Sequence, residues 1–422
     1  MNLFFGINTV IEGKIIEMNL IKYLSIKGIK QGVGVVYKYK LDNLILRIMK
    51  PFFQRKPLKD IIVIESHNDF DCNGGAFYEY LIQNGYNTRY KIVWLVKHPE
   101  YVPQELPLNV SWVPLYKPSL KKNYYRLMAR WFTFDMDARA KCRDDQVSVF
   151  FDHGGVTLKN VIPFYKGVSD RVDYILSPSD NYAPIICKQF SISYPNVKIL
   201  NFGYPSNDIY FNEKSNEIAK ITNKKYKKII LWMSTFRILK GKNRIDSMLE
   251  LPYGIPLIDK EEELFAIQNI LERQNVLLVI KIHPFQEESS YARLRNFKSD
   301  NIILLDASDV KKYQIDNYRL LNSVDAMISD YSSIIYSFLL KDCPVAFVLN
   351  DMKDYKPGII VDDLDKYIFG DKIFTFNDLG NFIDKCANDV DEYKKKRREL
   401  SNFIYQHHDG GACKRIVEFL KL

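Results

Sequence analysis

The chain has 422 residues, of which 47% are hydrophobic and 26% charged. That balance excludes a disordered protein, and the length suits two or three domains. No run approaches the roughly 18 apolar residues a spanning helix needs. The start, "MNLFFGINTVIEGKIIEMN", lacks a basic region followed by an apolar core and a small-residue cleavage site, so no secretory signal is expected. Cys72, Cys142, Cys187, Cys343, Cys386 and Cys413 are scattered without a CxxC pair, which predicts reduced thiols with neither a disulfide framework nor a zinc site.

The net charge of +9 is concentrated at the N-terminus, where residues 1–59 hold eleven Lys or Arg against three Asp or Glu. There "KYLSIKGIKQGVGVVYKYKLDNLILRIMKPFFQRK" mixes basic with apolar side chains. Residues 1–58 therefore read as a basic amphipathic segment suited to an anionic membrane surface, or as a solvated basic helix pair. Strand-like and helix-like stretches then alternate. "IIVIES" (61–66) is a buried strand and "GGAFYEYLIQNG" (74–85) a helix with a Gly stop. "KIVWLV" (91–96), "VSVFF" (147–151) and "YILSP" (174–178) are further strands. Between them "LYKPSLKKNYYRLMARWFTF" (115–134) reads as an amphipathic helix, packed on the first sheet or touching a membrane. After the polar stretch 212–228 the alternation restarts with "KKIILWMSTF", "EEELFAIQNILERQ", "VLLVIKIHP", "NIILL", "VDAMIS" and "PVAFVLN". Continuous Val/Ile/Leu strands separated by helices predict parallel sheets covered on both faces. The fold class is α/β: two facing Rossmann-like domains, 59–211 and 212–400, with a C-terminal helix in 401–422.

In doubly wound sheets, ligands bind at the carboxyl ends of the strands. In the second block these ends carry "STFR", "KIHPF" and "SDYSS". A helix starting near Ser332 or Ser333 presents free backbone N–H groups and two hydroxyls, a cradle for phosphate beside Ser329 and Asp330. Capping alone would account for one serine. Pro284 holds His283 extended at the strand end, where its imidazole can donate to a phosphate oxygen. Arg237 offers a bidentate fork to a diphosphate. In the first block His153, in "FFDHGG", is a candidate general base. Its neighbour Asp152 is expected on the opposite strand face and so outside any dyad.

In order and spacing, "ESHNDFDCNGGAFYEYL", "HGGVTLK", "GYPSND", "STFR", "KIHPF", "SDYSSIIYSFLL" with "CPVAF", and "HHDGGACKRIVEFL" resemble the CDP-glycerol glycerophosphotransferases of teichoic acid and capsule synthesis, from about residue 60 to 415. The resemblance implies a GT-B fold with the acceptor in the N-terminal domain and CDP in the C-terminal one. It implies His153 as base, His283 with Ser332 and Ser333 on the donor phosphates, and Asp409 and Gly410 with the nucleotide. Asn73, Gly74 and Lys159 fall on the acceptor side. The chain departs from the family pattern by one extra residue in "HGGVTLK", by Ser206 in place of the usual arginine, and by "DKYIFGDKIF" after residue 360. The motifs do not separate glycerol from ribitol donors or primers from polymerases.

The implied reaction is attack of an acceptor hydroxyl, lipid-linked or polymeric, on the β-phosphorus of a CDP-alditol, with CMP leaving. No cofactor and no metal are expected. The pairs Asp69/Asp71 and Asp135/Asp137 read as turn or surface residues. A nucleotide-sugar glycosyltransferase of the same fold is the alternative, and a membrane-associated scaffold a third reading. Nucleic acid is not an expected partner, because no nucleic-acid-binding motif accompanies the basic stretches.

Overall fold

The computed structural model describes residues 7–11, 14–18, 29–136, 141–162, 168–237, 246–247 and 249–422. The chain forms two compact units. One comprises the described residues up to 155 with 161–208 and 409–422; the other comprises 156–160 and 209–408.

The first unit begins with an antiparallel hairpin, β1 (Ile7–Ile11) and β2 (Lys14–Met18), and a long helix, α1 (Ile29–Phe53). There follow β3 (Lys59–Glu65), α2 (Cys72–Gln83), β4 (Lys91–Val96), β5 (Val110–Pro114), α3 (Leu120–Met128), β6 (Ala129–Phe134), β7 (Val147–Phe150), β8 (Tyr174–Leu176), α4 (Ala183–Gln189) and β9 (Ile199–Leu200). The strands form one sheet in the order β5-β4-β3-β6-β7-β8-β9, with every neighbouring pair parallel. Ile61, Ile62, Val63 and Ile64 are all buried. Such a run, apolar on both faces, stabilises a strand only inside a covered sheet.

The segment 115–134 differs from a single amphipathic helix. Its helix stops at Met128, and residues 129–134 continue as β6 between β3 and β7. Lys122 and Tyr125 are buried. The Lys122 ammonium pairs with Asp42 at 3.0 Å and donates to the carbonyls of Leu115 and Lys117. The segment thus packs on the first unit, with Tyr116, Lys117, Leu120, Lys121 and Arg130 at its exposed edge, and clamps α1 through Asp42. The opposite side of α1 exposes Leu44, Ile48 and Phe52, one helical turn apart, with Lys40, Arg47 and Arg55 also exposed. Among the described residues no helix is long and apolar enough to cross a membrane.

The second unit contains β10 (Lys228–Met233), α5 (Glu261–Gln274), β11 (Val276–Lys281), α6 (Glu288–Asn296), β12 (Ile302–Leu305), β13 (Ala326–Ser329), α7 (Ile334–Phe338), β14 (Val345–Val348), β15 (Asp371–Ile373), α8 (Phe376–Ala387) and α9 (Lys394–Ile404). Its sheet runs β12-β11-β10-β13-β14-β15, again all parallel. Glu261, Glu262 and Glu263 open α5 where the helix dipole favours negative charge. Thr375 and Asp378 form a capping box that starts α8. Leu264, Ile267 and Leu271 of α5 and Phe382 and Ile383 of α8 pack with Leu278, Ile280 and Ile282 into one core. The last helix, α10 (Ala412–Leu420), belongs to the first unit: Asp208 accepts from the N–H groups of Ala412 and Cys413 at 2.9 Å each, and Trp131 Nε1 donates to the Leu420 carbonyl.

In each sheet the strand order reverses at one place, between β3 and β6 in the first unit and between β10 and β13 in the second. Those reversals open a crevice at the strand ends. They bring Glu65–His67 beside Asp135–Met136, and Ser234–Arg237 beside Ser329–Ser333.

Candidate functional site

In the first unit, the reversal point is built around His153. Asp152 adopts a left-handed backbone (φ 60°), which breaks the alternation expected of an extended strand. Its carboxylate consequently lies 3.7 Å from His153 Nδ1, and the two residues expected to diverge converge. Burial pushes the Asp152 carboxyl up to about 6, while the N–H groups of Gly154 and His153 pull it down. Nδ1 is thus the ring nitrogen turned toward Asp152. The other face of the imidazole is covered by His67, stacked at 4.6 Å between centroids with 12° between planes. His67 in turn lies with Nδ1 against the Met136 sulfur. Lys97 fixes its loop, donating to the Ser66 and His67 carbonyls at 2.8 and 3.0 Å and pairing with Glu65.

Asn73 and Gly74, expected to meet the acceptor, are structural supports of this loop. Asn73 is buried. Its Nδ2 donates to the Asp152 carbonyl, and its Oδ1 accepts from Ser206 N and Oγ at 3.0 and 2.7 Å. Ser206, where the resemblance led to an arginine being expected, thereby ties the "GYPSND" turn to the His153 loop. Gly74 marks close packing of α2 on β3: a Cβ there would lie 2.9 Å from the Glu65 carbonyl oxygen. Its N–H donates to Asp135. Burial first, and then the Glu65 charge, raise the Asp135 carboxyl well above its ordinary range. Asp69 accepts from the N–H groups of Lys97 and His98, and Asp71 from Asn68, so both organise the turn. Asp137 lies outside the described residues.

In the second unit, Arg237 is 2% exposed. Its Nε donates to Asp351 at 2.7 Å, and its Nη1 to Asp330 at 2.7 Å and to Thr235. Burial would lower its pKa, but the Asp330 and Asp351 charges outweigh that and raise it. The expectation of a fork open to a diphosphate is therefore corrected: the guanidinium staples the β10 and β13 ends together. Asp330 also accepts from Thr235 N and Oγ1 at 3.0 Å each. Ser329 is likewise internal, its hydroxyl donating to the Met233 carbonyl at 2.6 Å. Tyr331 donates to Asp351 and stacks on Tyr355 at 4.0 Å.

Ser332 and Ser333 are half-buried. Ser333 precedes α7 and makes no capping bond through its side chain, so plain capping does not account for it. His283 Nδ1 accepts from the Phe285 N–H at 3.2 Å. That bond fixes the tautomer with the proton on Nε2. Phe236 packs edge-on against the ring at 4.9 Å.

The structure also gives the surroundings of three more expected residues. Lys159 belongs to the second unit, paired with Asp246 at 2.9 Å and lying over the Tyr355 ring at 5.5 Å; its short bridge to Ile359 places it there. Asp409 and Gly410 belong to the first unit, with Asp409 paired to Arg415 at 2.8 Å. His67, which lies in the quoted "ESHNDFD", was legible by the same strand-end rule that selected His153.

Two parallel sheets, each with polar strand ends at its reversal point, define a GT-B-like α/β transferase fold. Residues 48–422 match the family described as CDP-Glycerol:Poly(glycerophosphate) glycerophosphotransferase, and the chain belongs to that family. It is 27% identical to the teichoic acid glycerol-phosphate primase of Bacillus subtilis, over 62% of this chain and 61% of that protein. It is 22% identical to the teichoic acid poly(glycerol phosphate) polymerase of Bacillus spizizenii, over 92% of this chain and 98% of that one. The chain thus spans about three fifths of the first relative and nearly all of the second. A solved structure of the wall teichoic acid polymerase TagF has the same fold, with a TM-score of 0.68 and 18% identity over 93% of this chain and 97% of that one.

Proposed function

We propose that the protein transfers glycerol phosphate, or a related alditol phosphate, from a CDP-alditol to a hydroxyl of a lipid-linked or polymeric acceptor at the cytoplasmic face of the membrane. The observation that carries the reading is the placement of His153 beside the Asp152 carboxylate, 3.7 Å from Nδ1, in a chain of this family. His153 takes the acceptor proton. The acceptor oxygen bonds the β-phosphorus, the bond to the bridging oxygen breaks, and CMP leaves with that oxygen. His283, as the Nε2–H tautomer, and the hydroxyls of Ser332 and Ser333 stabilise the phosphate charge; such stabilisation is usually the largest catalytic contribution. Transfer without a metal is part of the proposal. Its support is that Asp69 and Asp71 are engaged by backbone and side-chain donors of their own loop.

The test is a donor panel. With CDP-glycerol or CDP-ribitol the protein should release CMP, and with UDP- or CMP-sugars it should release nothing. Turnover of a nucleotide sugar with both CDP-alditols inert would replace this reading by glycosyl transfer.

We also propose that α1 meets the anionic membrane. Its support is the exposed stripe of Leu44, Ile48 and Phe52 between Lys40, Arg47 and Arg55. Replacing Leu44, Ile48 and Phe52 together by Ser should leave the melting temperature near wild type, because exposed substitutions rarely cost more than about 0.5 kcal/mol. Co-sedimentation with vesicles containing phosphatidylglycerol should fall at least about tenfold. Undiminished sedimentation of the triple variant would remove α1 as the anchor.

A further inference from the structure

Lys281 is the last residue of β11 and is 6% exposed. In register it lies between Met233 of β10 and Leu305 of β12, neither of which offers it a charge. Ile280 and Ile282 point into the core shared with α5 and α8. The alternation of an extended chain therefore projects Lys281 and His283 from the opposite face. Among the described residues no hydrogen bond or ion pair reaches the Lys281 ammonium.

The chain treats its other enclosed lysines differently. Lys122 has Asp42 and two carbonyls, and Lys341 donates to the carbonyls of Leu321, Asn322 and Val324. Nor is a carboxylate at the neighbouring strand ends idle. After β12, Asp306 pairs with Arg295 and accepts from the N–H groups of Ser308 and Asp309. After β13 and β14, Asp330 and Asp351 hold Arg237. A buried ammonium without a partner is costly. It stands at the carboxyl end of a strand adjoining the β10/β13 reversal, where this fold binds ligands.

We propose that Lys281 is the cation that binds the diphosphate of the donor, the part for which Arg237 was expected. The inference rests on the proposed donor chemistry in naming a nucleoside diphosphate; the geometry alone calls for a phosphoryl anion. Burial pushes the free ammonium down to about 8. An arriving phosphate, being the missing opposite charge, raises it again and draws a proton onto the protein. His283, on the same face, is the other titratable group of that strand end. Arg237, Asp330, Asp351, Asp306 and Arg295 at the adjoining ends are held in ion pairs with one another.

The experiment is titration calorimetry of the full chain and of Lys281→Met with CDP and with inorganic pyrophosphate, alongside thermal melting. Methionine keeps the length and removes the charge. The variant should melt at or above the wild-type temperature and bind CDP about 10- to 100-fold more weakly, the range of one charged hydrogen bond or two. A lysine with a merely structural part would give the reverse, a lower melting temperature with CDP affinity unchanged, and that result overturns the proposal. A readout on the wild type needs no variant: heats measured near pH 8 in two buffers of different ionisation enthalpy should show net proton uptake on CDP binding, and none overturns the proposal. Pyrophosphate binding that depends on Lys281 without CDP binding would keep the cation site and discard the CDP reading. CDP binding equal in wild type and variant would do the opposite. Failure of both ligands to bind the wild type would discard both.

Discussion

His153→Ala should lower turnover with a CDP-alditol by about 10²- to 10⁴-fold, the range general-base catalysis supplies. CDP affinity should stay within about twofold of wild type, because the groups proposed for the donor phosphates lie in the second unit and His153 in the first. The pH profile gives a second arm. An ionised Asp152, 3.7 Å from Nδ1, favours the protonated His153 that forms when it takes the acceptor proton, and burial lifts the Asp152 carboxyl to about 6. Turnover should therefore fall as the pH drops through that value. Asp152→Asn should lower the plateau and weaken the dependence. An enzyme that loses His153 and retains near-normal turnover does not use it as a base.

Arg237→Ala should destabilise the fold by about 3–5 kcal/mol, the cost of breaking a buried ion pair from one side. The guanidinium sits between Asp330 and Asp351 with almost no exposure, so its removal leaves two buried carboxylates facing each other without a counter-charge. Urea unfolding would measure the loss, and Arg237→Lys should recover only part of it, since an ammonium cannot serve Asp330, Asp351 and Thr235 in one plane. A variant as stable as wild type with CDP binding abolished would return Arg237 to the ligand and remove the staple.

The strands were readable because parallel sheets buried on both faces need unbroken Val/Ile/Leu runs, and "IIVIES", "KIVWLV" and "VLLVIK" are such runs. β6 was not. Its sequence, "ARWFTF", is aromatic, follows helix α3 without a break and carries Arg130 four residues after Arg126, so it reads as the tail of an amphipathic helix. Pairing with β3 and β7 decided its state, and pairing over such distances leaves no mark in a local pattern. His153 and His283 stood out because strand ends carry ligands in this architecture. The rule of alternation separates Asp152 from His153, but it fails once φ turns positive, as it does at Asp152 just before Gly154 and Gly155. Arg237 shows the limit most plainly. A sequence displays a cation near a strand end, but not the two carboxylates, ninety-three and more residues away, that hold it. Lys281 shows the converse: within "VLLVIKIHP" nothing indicates that its ammonium meets no carboxylate.

The central claim is that phosphorus, not a sugar carbon, is the atom attacked. It is tested most directly by following the β-phosphorus of CDP-glycerol labelled there with ³²P, in the presence of a lipid-linked acceptor ending in glycerol phosphate. The label should pass into the acceptor while the released nucleotide is unlabelled CMP. Label retained in released CDP, with the acceptor unlabelled, would contradict the account.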